Sequence, residues 1–123
     1  MMEFVPDKPI FRQVADYCSR HILDGEWAPE QRIPSTKELA VTLAVNNRTV
    51  MKAYDDLSDA GVIYQRRGMG YYVSADACGR LRNILRSDFI STTLPDLIAR
   101  MRLAGLTPAD LLALLTEATD NSL

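Results

Sequence analysis

Asn46, Asn47, Arg48 and Thr49 stand in a row just ahead of an apolar pattern that begins at Val50. Two amides, a guanidinium and a hydroxyl are more hydrogen-bonding capacity than any core requires. Asparagine and arginine each present two polar atoms in one plane, which suits a bidentate pair with a purine edge. The threonine methyl suits contact with a thymine methyl. A second set, Arg66-Arg67-Gly68, places two cations beside a residue with no side chain. Arginine is drawn to the negative potential of a narrow minor groove, and glycine lets backbone come close. A third set, Ser35-Thr36-Lys37, opens what reads as a helix, where free N–H groups and an ammonium suit a phosphate. Each set has a plainer reading: a capped, solvated helix end for Asn47 to Thr49, two charges guarding a hairpin edge for Arg66 and Arg67, and a solvated side chain for Lys37.

Other chemistries find no support. His21 is the only histidine and reads as a structural or surface residue of its helix. No Cys, His or carboxylate set has metal-ligand spacing. No nucleophile sits in a recognisable motif, and Gly68-Met69-Gly70 is not a phosphate-binding loop. No enzyme activity, metal or cofactor is expected. Cys18 and Cys78 form no C-x-x-C pair and fit a reduced, cytoplasmic setting. There is no long apolar run and no basic segment followed by an apolar one, so neither a membrane span nor a signal peptide is expected.

Six helical or extended segments must position these side chains. Phe11, Val14, Ala15, Cys18 and Ile22 make one face of a helix over 10–23, with Pro9 suited to its first turn and Gly25 to its end. Trp27 reads as a buried lid over that helix. Ser35 and Glu38 form an S-x-x-E capping box, and Leu39, Ala40 and Leu43 supply the apolar face of a short second helix ending near Ala44. Asn46 caps a third, whose stripe is Val50, Ala53, Tyr54 and Leu57 and which runs to about Ala60, with Gly61 beyond it. The period then shortens. Val62 to Ser74 reads as a β-hairpin with Arg66–Gly70 at its tip. Helical patterning returns from Leu81, with Pro95 either kinking a helix or ending it so that Thr93 caps the next. The last helix has Thr107 as N-cap, Pro108 at N1 and Asp110 at N3.

Three helices and a hairpin make residues 1–74 a winged helix-turn-helix, and residues 75–123 a short helical tail. In that motif the N-terminal residues of the third helix meet base edges in the major groove. With Val50 turned inward, Arg48, Lys52, Asp55 and Asp59 point outward, so the helix is basic in its first two turns and acidic in its last two. The expected DNA-binding set is Ser35, Thr36, Lys37, Asn46, Asn47, Arg48, Thr49, Lys52, Arg66, Arg67 and Gly68. The formal net charge of −2 stands against a nucleic-acid partner, since such proteins usually carry a basic surface.

Residues 8–74 resemble the DNA-binding domain of the GntR family of bacterial transcription regulators. Pro9-Ile10-Phe11, Gly25, Pro34-Ser35, Glu38-Leu39-Ala40, Thr49-Val50, Ala53-Tyr54, Leu57, Gly61 and the Gly68/Gly70 wing carry the resemblance. The string Arg48 to Tyr54 and the short helical tail resemble the YtrA-like subfamily. The resemblance implies a dimeric transcription regulator with a helical dimerisation tail. Three positions depart from the family's usual residues: Lys37 stands where Arg is common, Glu30 where Gly is frequent, and Asn47 where Arg or Pro is often found.

The tail is too short for a separate pocketed domain, yet rich in leucine. A two-fold dimer would bury it and set two reading heads on a palindromic double-stranded site. Leu81, Ile84, Leu85, Phe89, Leu94, Leu97, Ile98, Met101, Leu111, Leu112 and Leu115 are its expected contacts. The plainer reading packs the tail on its own head. The absence of a surface for recruiting polymerase favours a repressor. A small-molecule effector, if one binds, would sit in a groove at the dimer interface. The rival functions are a winged helix used as a protein-interaction module and a sensor with its ligand in the tail.

Overall fold

The computed structural model describes residues 3–122. The elements are α1 (Ile10–Leu23), α2 (Thr36–Leu43), α3 (Asn47–Asp59), β1 (Ile63–Arg66), β2 (Gly70–Val73), α4 (Ala77–Asp88), a π turn (Phe89–Thr93), α5 (Leu94–Leu103) and α6 (Pro108–Ser122). The chain divides into two compact units, one ending at Asn83 and the other beginning at Ile84.

The first unit is a winged helix-turn-helix. Val14, Cys18 and Ile22 of α1, Leu39 and Leu43 of α2, and Val50, Tyr54 and Leu57 of α3 meet in one core with Val62, Ile63 and Val73 of the hairpin. Trp27 closes the core beside α1, its ring stacked on His21 at 5.2 Å. Pro9 sits one place earlier than the sequence pattern suggests, as the N-cap of α1 rather than in its first turn. The capping box of α2 forms in full: Ser35 Oγ accepts the Glu38 N–H, and Glu38 Oε1 accepts the Ser35 N–H. The Ser35 N–H, and to a lesser extent the Ser35 hydroxyl, holds the Glu38 carboxyl below the ordinary range. Between α2 and α3 the chain reverses within a few residues because Ala44 takes a left-handed conformation, φ 57°.

The hairpin is antiparallel, with Ile63 opposite Val73 and Arg66 opposite Gly70. Residues of one parity face the core and those of the other face outward. Tyr71 accordingly packs edge-on to Tyr54 at 4.9 Å, and Tyr64 stacks with Tyr72 on the outer face. Glu30 explains why the family favours glycine there. Its φ is 67°, a left-handed conformation that glycine adopts without penalty. Here its N–H donates to the Val73 carbonyl and its carboxylate accepts from the Tyr64 hydroxyl at 2.8 Å.

Leu81 differs from the sequence expectation. It lies one turn beyond Ala77 on α4, and both are buried in the head's core. The first unit therefore reaches past Ser74, and Leu81 is not part of an open tail face. Pro95 neither ends the helix nor lets Thr93 cap a new one. Thr93 has helical angles and makes no capping bond. Proline offers no N–H to the carbonyl four residues back, and its ring crowds that carbonyl. The extra residue of the π turn at Phe89–Thr93 absorbs the mismatch.

In the second unit, Met101 is buried and Leu94, Leu97, Ile98 and Leu111 are half-buried. Ile84, Leu85, Phe89, Leu112 and Leu115 are exposed. Thr107 and Asp110 cap α6 reciprocally, Thr107 Oγ1 accepting the Asp110 N–H and Asp110 Oδ2 accepting the Thr107 N–H.

Candidate nucleic-acid interface

Helix α3 carries its functional side chains where its start is fixed from two sides. Asn46 Oδ1 accepts the Arg48 N–H at 2.8 Å, which starts the helix. From one face of the same helix the buried Tyr54 hydroxyl donates to the Pro34 carbonyl at 2.6 Å. That bond joins the middle of α3 to the residue just before the α2 cap and so ties the two helices of the motif together. Burial pushes the Tyr54 phenol far above its ordinary ionisation range.

Arg48 and Lys52 are exposed on α3, and Thr49 is half-buried beside them. Arg48 has no ion-pair partner among the described residues. Lys52 is less free, because its ammonium stands 4.4 Å from the centre of the Phe11 ring. Asn47 departs from the sequence expectation in detail. Its Oδ1 is buried without a partner, and its Nδ2 donates to the Met51 sulfur at 3.5 Å. With its oxygen buried, this rotamer does not present the donor–acceptor pair that adenine requires. Asp55 and Asp59 are exposed at the far end of the helix.

Ser35 and Asn46 spend their acceptor oxygens on caps, and Thr36 and Lys37 occupy the first turn of α2. Arg66 and Arg67, adjacent in sequence, have different surroundings. Arg66 lies over the Tyr72 ring at 4.7 Å and the Tyr64 ring at 5.8 Å. Arg67 is exposed beside Gly68, whose φ of 74° shapes the tip. A Cβ at Gly68 would meet nothing within 4 Å, so the glycine there serves conformation and not room.

Arg32 is a residue the sequence reading did not single out. It forms an antiparallel bridge with Tyr72, and its guanidinium lies against Gly70. The signal was a cation two residues before the Pro34-Ser35 cap. His21 also proves less isolated than its spacing suggested. Its Nδ1 lies 2.5 Å from Glu26 Oε2, and with Asp24 it forms a group whose ligand atoms lie within 4.8 Å of one another.

The arrangement is a helix start and a cationic hairpin, both belonging to one compact unit. The model of the gntR family of bacterial regulatory proteins matches residues 11–73, more than half of the chain. The chain belongs to the GntR family. It is 38% identical over 69 residues to the HTH-type transcriptional repressor YtrA of Bacillus subtilis, covering 56% of this chain and 53% of YtrA. A GntR-family transcriptional regulator solved from Bacteroides thetaiotaomicron superposes with a TM-score of 0.80 at 28% identity, over 94% of this chain and 100% of that one. The DNA-binding domain of AraR, solved in complex with operator ORR3, superposes with a TM-score of 0.53 at 30% identity, over 60% of this chain and 93% of that one. This GntR-family chain is a YtrA-like, DNA-binding helix-turn-helix transcription regulator, and its family is one of regulators, not enzymes. No helix among its described residues is long and apolar enough to cross a membrane.

Proposed function

We propose that this regulator is a cytoplasmic repressor that binds a palindromic operator as a homodimer. The head, which extends past the expected boundary at Ser74, carries the reading surfaces, and the unit that begins at Ile84 carries the pairing surface. One observation supports the dimer above others. The second unit leaves Phe89 50%, Leu112 66% and Leu115 50% exposed, together with Ile84 and Leu85. Apolar exposure of this extent on a small unit marks an interaction surface, and a second copy buries it on both sides at once. YtrA, similar over 69 residues, is itself a repressor.

In this reading Arg48 and Thr49 meet base edges, while Lys37 and the α2 cap meet the phosphate backbone. A small-molecule effector, where one acts, belongs where the two tails meet. Sedimentation of the full chain at micromolar concentration tests the dimer. A dimer is expected, and replacing Phe89 and Leu112 by Glu should yield a helical monomer with weakened operator binding, since the two heads lose their shared effective concentration. A monomeric parent chain overturns the reading. Selection from a random duplex pool should return an inverted repeat. Sequences without two-fold symmetry would count against the palindromic operator.

A further inference from the structure

We propose that Arg32 is a DNA-backbone contact, a cation held at the base of the wing to bind a phosphate. The proposal rests on the DNA-binding reading above, with the hairpin taken as a wing that meets the duplex. Arg32 stands directly opposite Tyr72 in an isolated antiparallel bridge. Residues opposite each other across such a bridge share a face, so Arg32 joins Tyr72, Tyr64 and Arg66 on the outer side of the hairpin. The inner side is spent on the core: Ile63 and Val73 are fully buried, and Tyr71 packs on Tyr54.

Gly70 gives Arg32 its path. A Cβ built at Gly70 would lie 3.0 Å from Arg32 Nε and 3.5 Å from Nη2. The guanidinium therefore lies flat on bare backbone, in space that any side chain would take. It is exposed and makes no ion pair among the described residues. Arg32 lies three residues before Ser35, the cap of α2, and its guanidinium lies against Gly70, so the cation stands between the wing and the start of α2. Arg66, 4.7 Å from the centre of the Tyr72 ring, brings a second guanidinium to the same face. The face also holds the Glu30 carboxylate, which accepts from the Tyr64 hydroxyl. Neither guanidinium is ion-paired to it or to any other carboxylate among the described residues, and the planar fork of arginine fits a phosphate.

Phosphate contacts are blind to sequence but sensitive to salt, each adding about 0.9 to the slope of log affinity against log salt on duplex DNA. The test compares full-length parent, Arg32→Gln, Arg32→Lys and Arg48→Ala on a random-sequence duplex by fluorescence anisotropy across a salt series. Arg32→Gln should bind several-fold more weakly at low salt, with the slope shallower by about 0.9 for each Arg32 that meets a phosphate. Arg32→Lys should recover most of the slope. Unchanged affinity, or weaker binding with the parent's slope, overturns the proposal, because a merely structural role lowers affinity without removing a released ion. A parent that binds the duplex well while Arg32→Gln matches it sinks the Arg32 contact alone. A parent whose affinity is independent of salt sinks the wing reading as well.

Discussion

Tyr54→Phe removes one oxygen and leaves a ring. The ring is fully buried and stays against Tyr71, so packing is conserved. What goes is the 2.6 Å bond to the Pro34 carbonyl. A typical hydrogen bond is worth about 1 kcal/mol net, and a carbonyl left without a partner loses about 1–3 kcal/mol. Pro34 is only half-buried, so water recovers part of that, and a loss of roughly 1–2 kcal/mol follows. For a cooperative unit of this size that lowers the melting midpoint by about 5–15 °C. The same oxygen gives a pH signature. Burial raises the native phenol far above its ordinary value of 10.0. Above that value the unfolded chain releases the proton and the folded chain keeps it, so stability falls as pH rises past about 10. Tyr54→Phe should lack this part of the alkaline loss. Urea unfolding at neutral and alkaline pH measures both effects, with Tyr64→Phe, whose hydroxyl donates to the exposed Glu30 carboxylate, as the control expected to shift the neutral midpoint less. Equal neutral stability of Tyr54→Phe and parent would refute the claim that this bond locks α3 to the start of α2.

Arg48→Ala should cost about 1–3 kcal/mol in operator binding and much less on random duplex; equal losses in a paired titration would make Arg48 a phosphate contact. Gly68→Val forces a β-branched residue to φ 74°, a strain of about 1–2 kcal/mol that the open tip relieves by changing shape; it should weaken DNA binding and leave circular dichroism and oligomeric state alone, and undiminished binding would exclude the hairpin tip as a contact. Burial holds the Cys18 thiol up to about 12, so a disulfide reagent near neutral pH should modify the half-buried Cys78 in the native chain and Cys18 only after denaturation; rapid native reaction at Cys18 would contradict the core described here.

The elements that announced themselves in sequence were those with a local cause. The α2 capping box needs only Ser35 and Glu38 three residues apart, and the start of α3 needs only Asn46 before Val50. What escaped depends on partners far along the chain. Nothing near Tyr54 points to Pro34, twenty residues away, and nothing near Arg32 points to Gly70. Leu81 looked like the first leucine of a tail because its period continues into Ile84 and Leu85. Only the closed core shows that its side chain, with Ala77, finishes the head. The Pro95 ambiguity had the same origin. Proline dictates that a hydrogen bond is lost, and the π turn that absorbs the loss is one of several local solutions. Asn47 shows the limit within a correctly placed helix: its position was legible, and the rotamer that hides its oxygen was not.

An acidic chain that binds DNA must keep its carboxylates from the phosphates. Among the described residues the Lys and Arg ion pairs are Lys8–Asp16, Arg80–Asp76 and Arg100–Asp96. None of them uses Arg32, Lys37, Arg48 or Arg67, so the cations at the proposed contacts stay free of ion pairs. Asp55, Asp56 and Asp59 are exposed on α3 itself, with no basic residue in its last turn. Their place at the negative end of the helix dipole is unfavourable by about 0.3–1 kcal/mol for a charge in the last turn. Phosphate repulsion gives them a use, since it favours approaches that lead with Arg48 and disfavours those that lay the helix flat on the backbone. Asp59→Asn should then raise stability slightly and strengthen binding to random duplex more than binding to the operator, narrowing the ratio between them. Titrations of both duplexes at low and high salt measure that ratio, and the narrowing should fade at high salt as the repulsion is screened. An unchanged ratio at low salt would mean that the acidic end plays no part in selecting how the helix meets DNA.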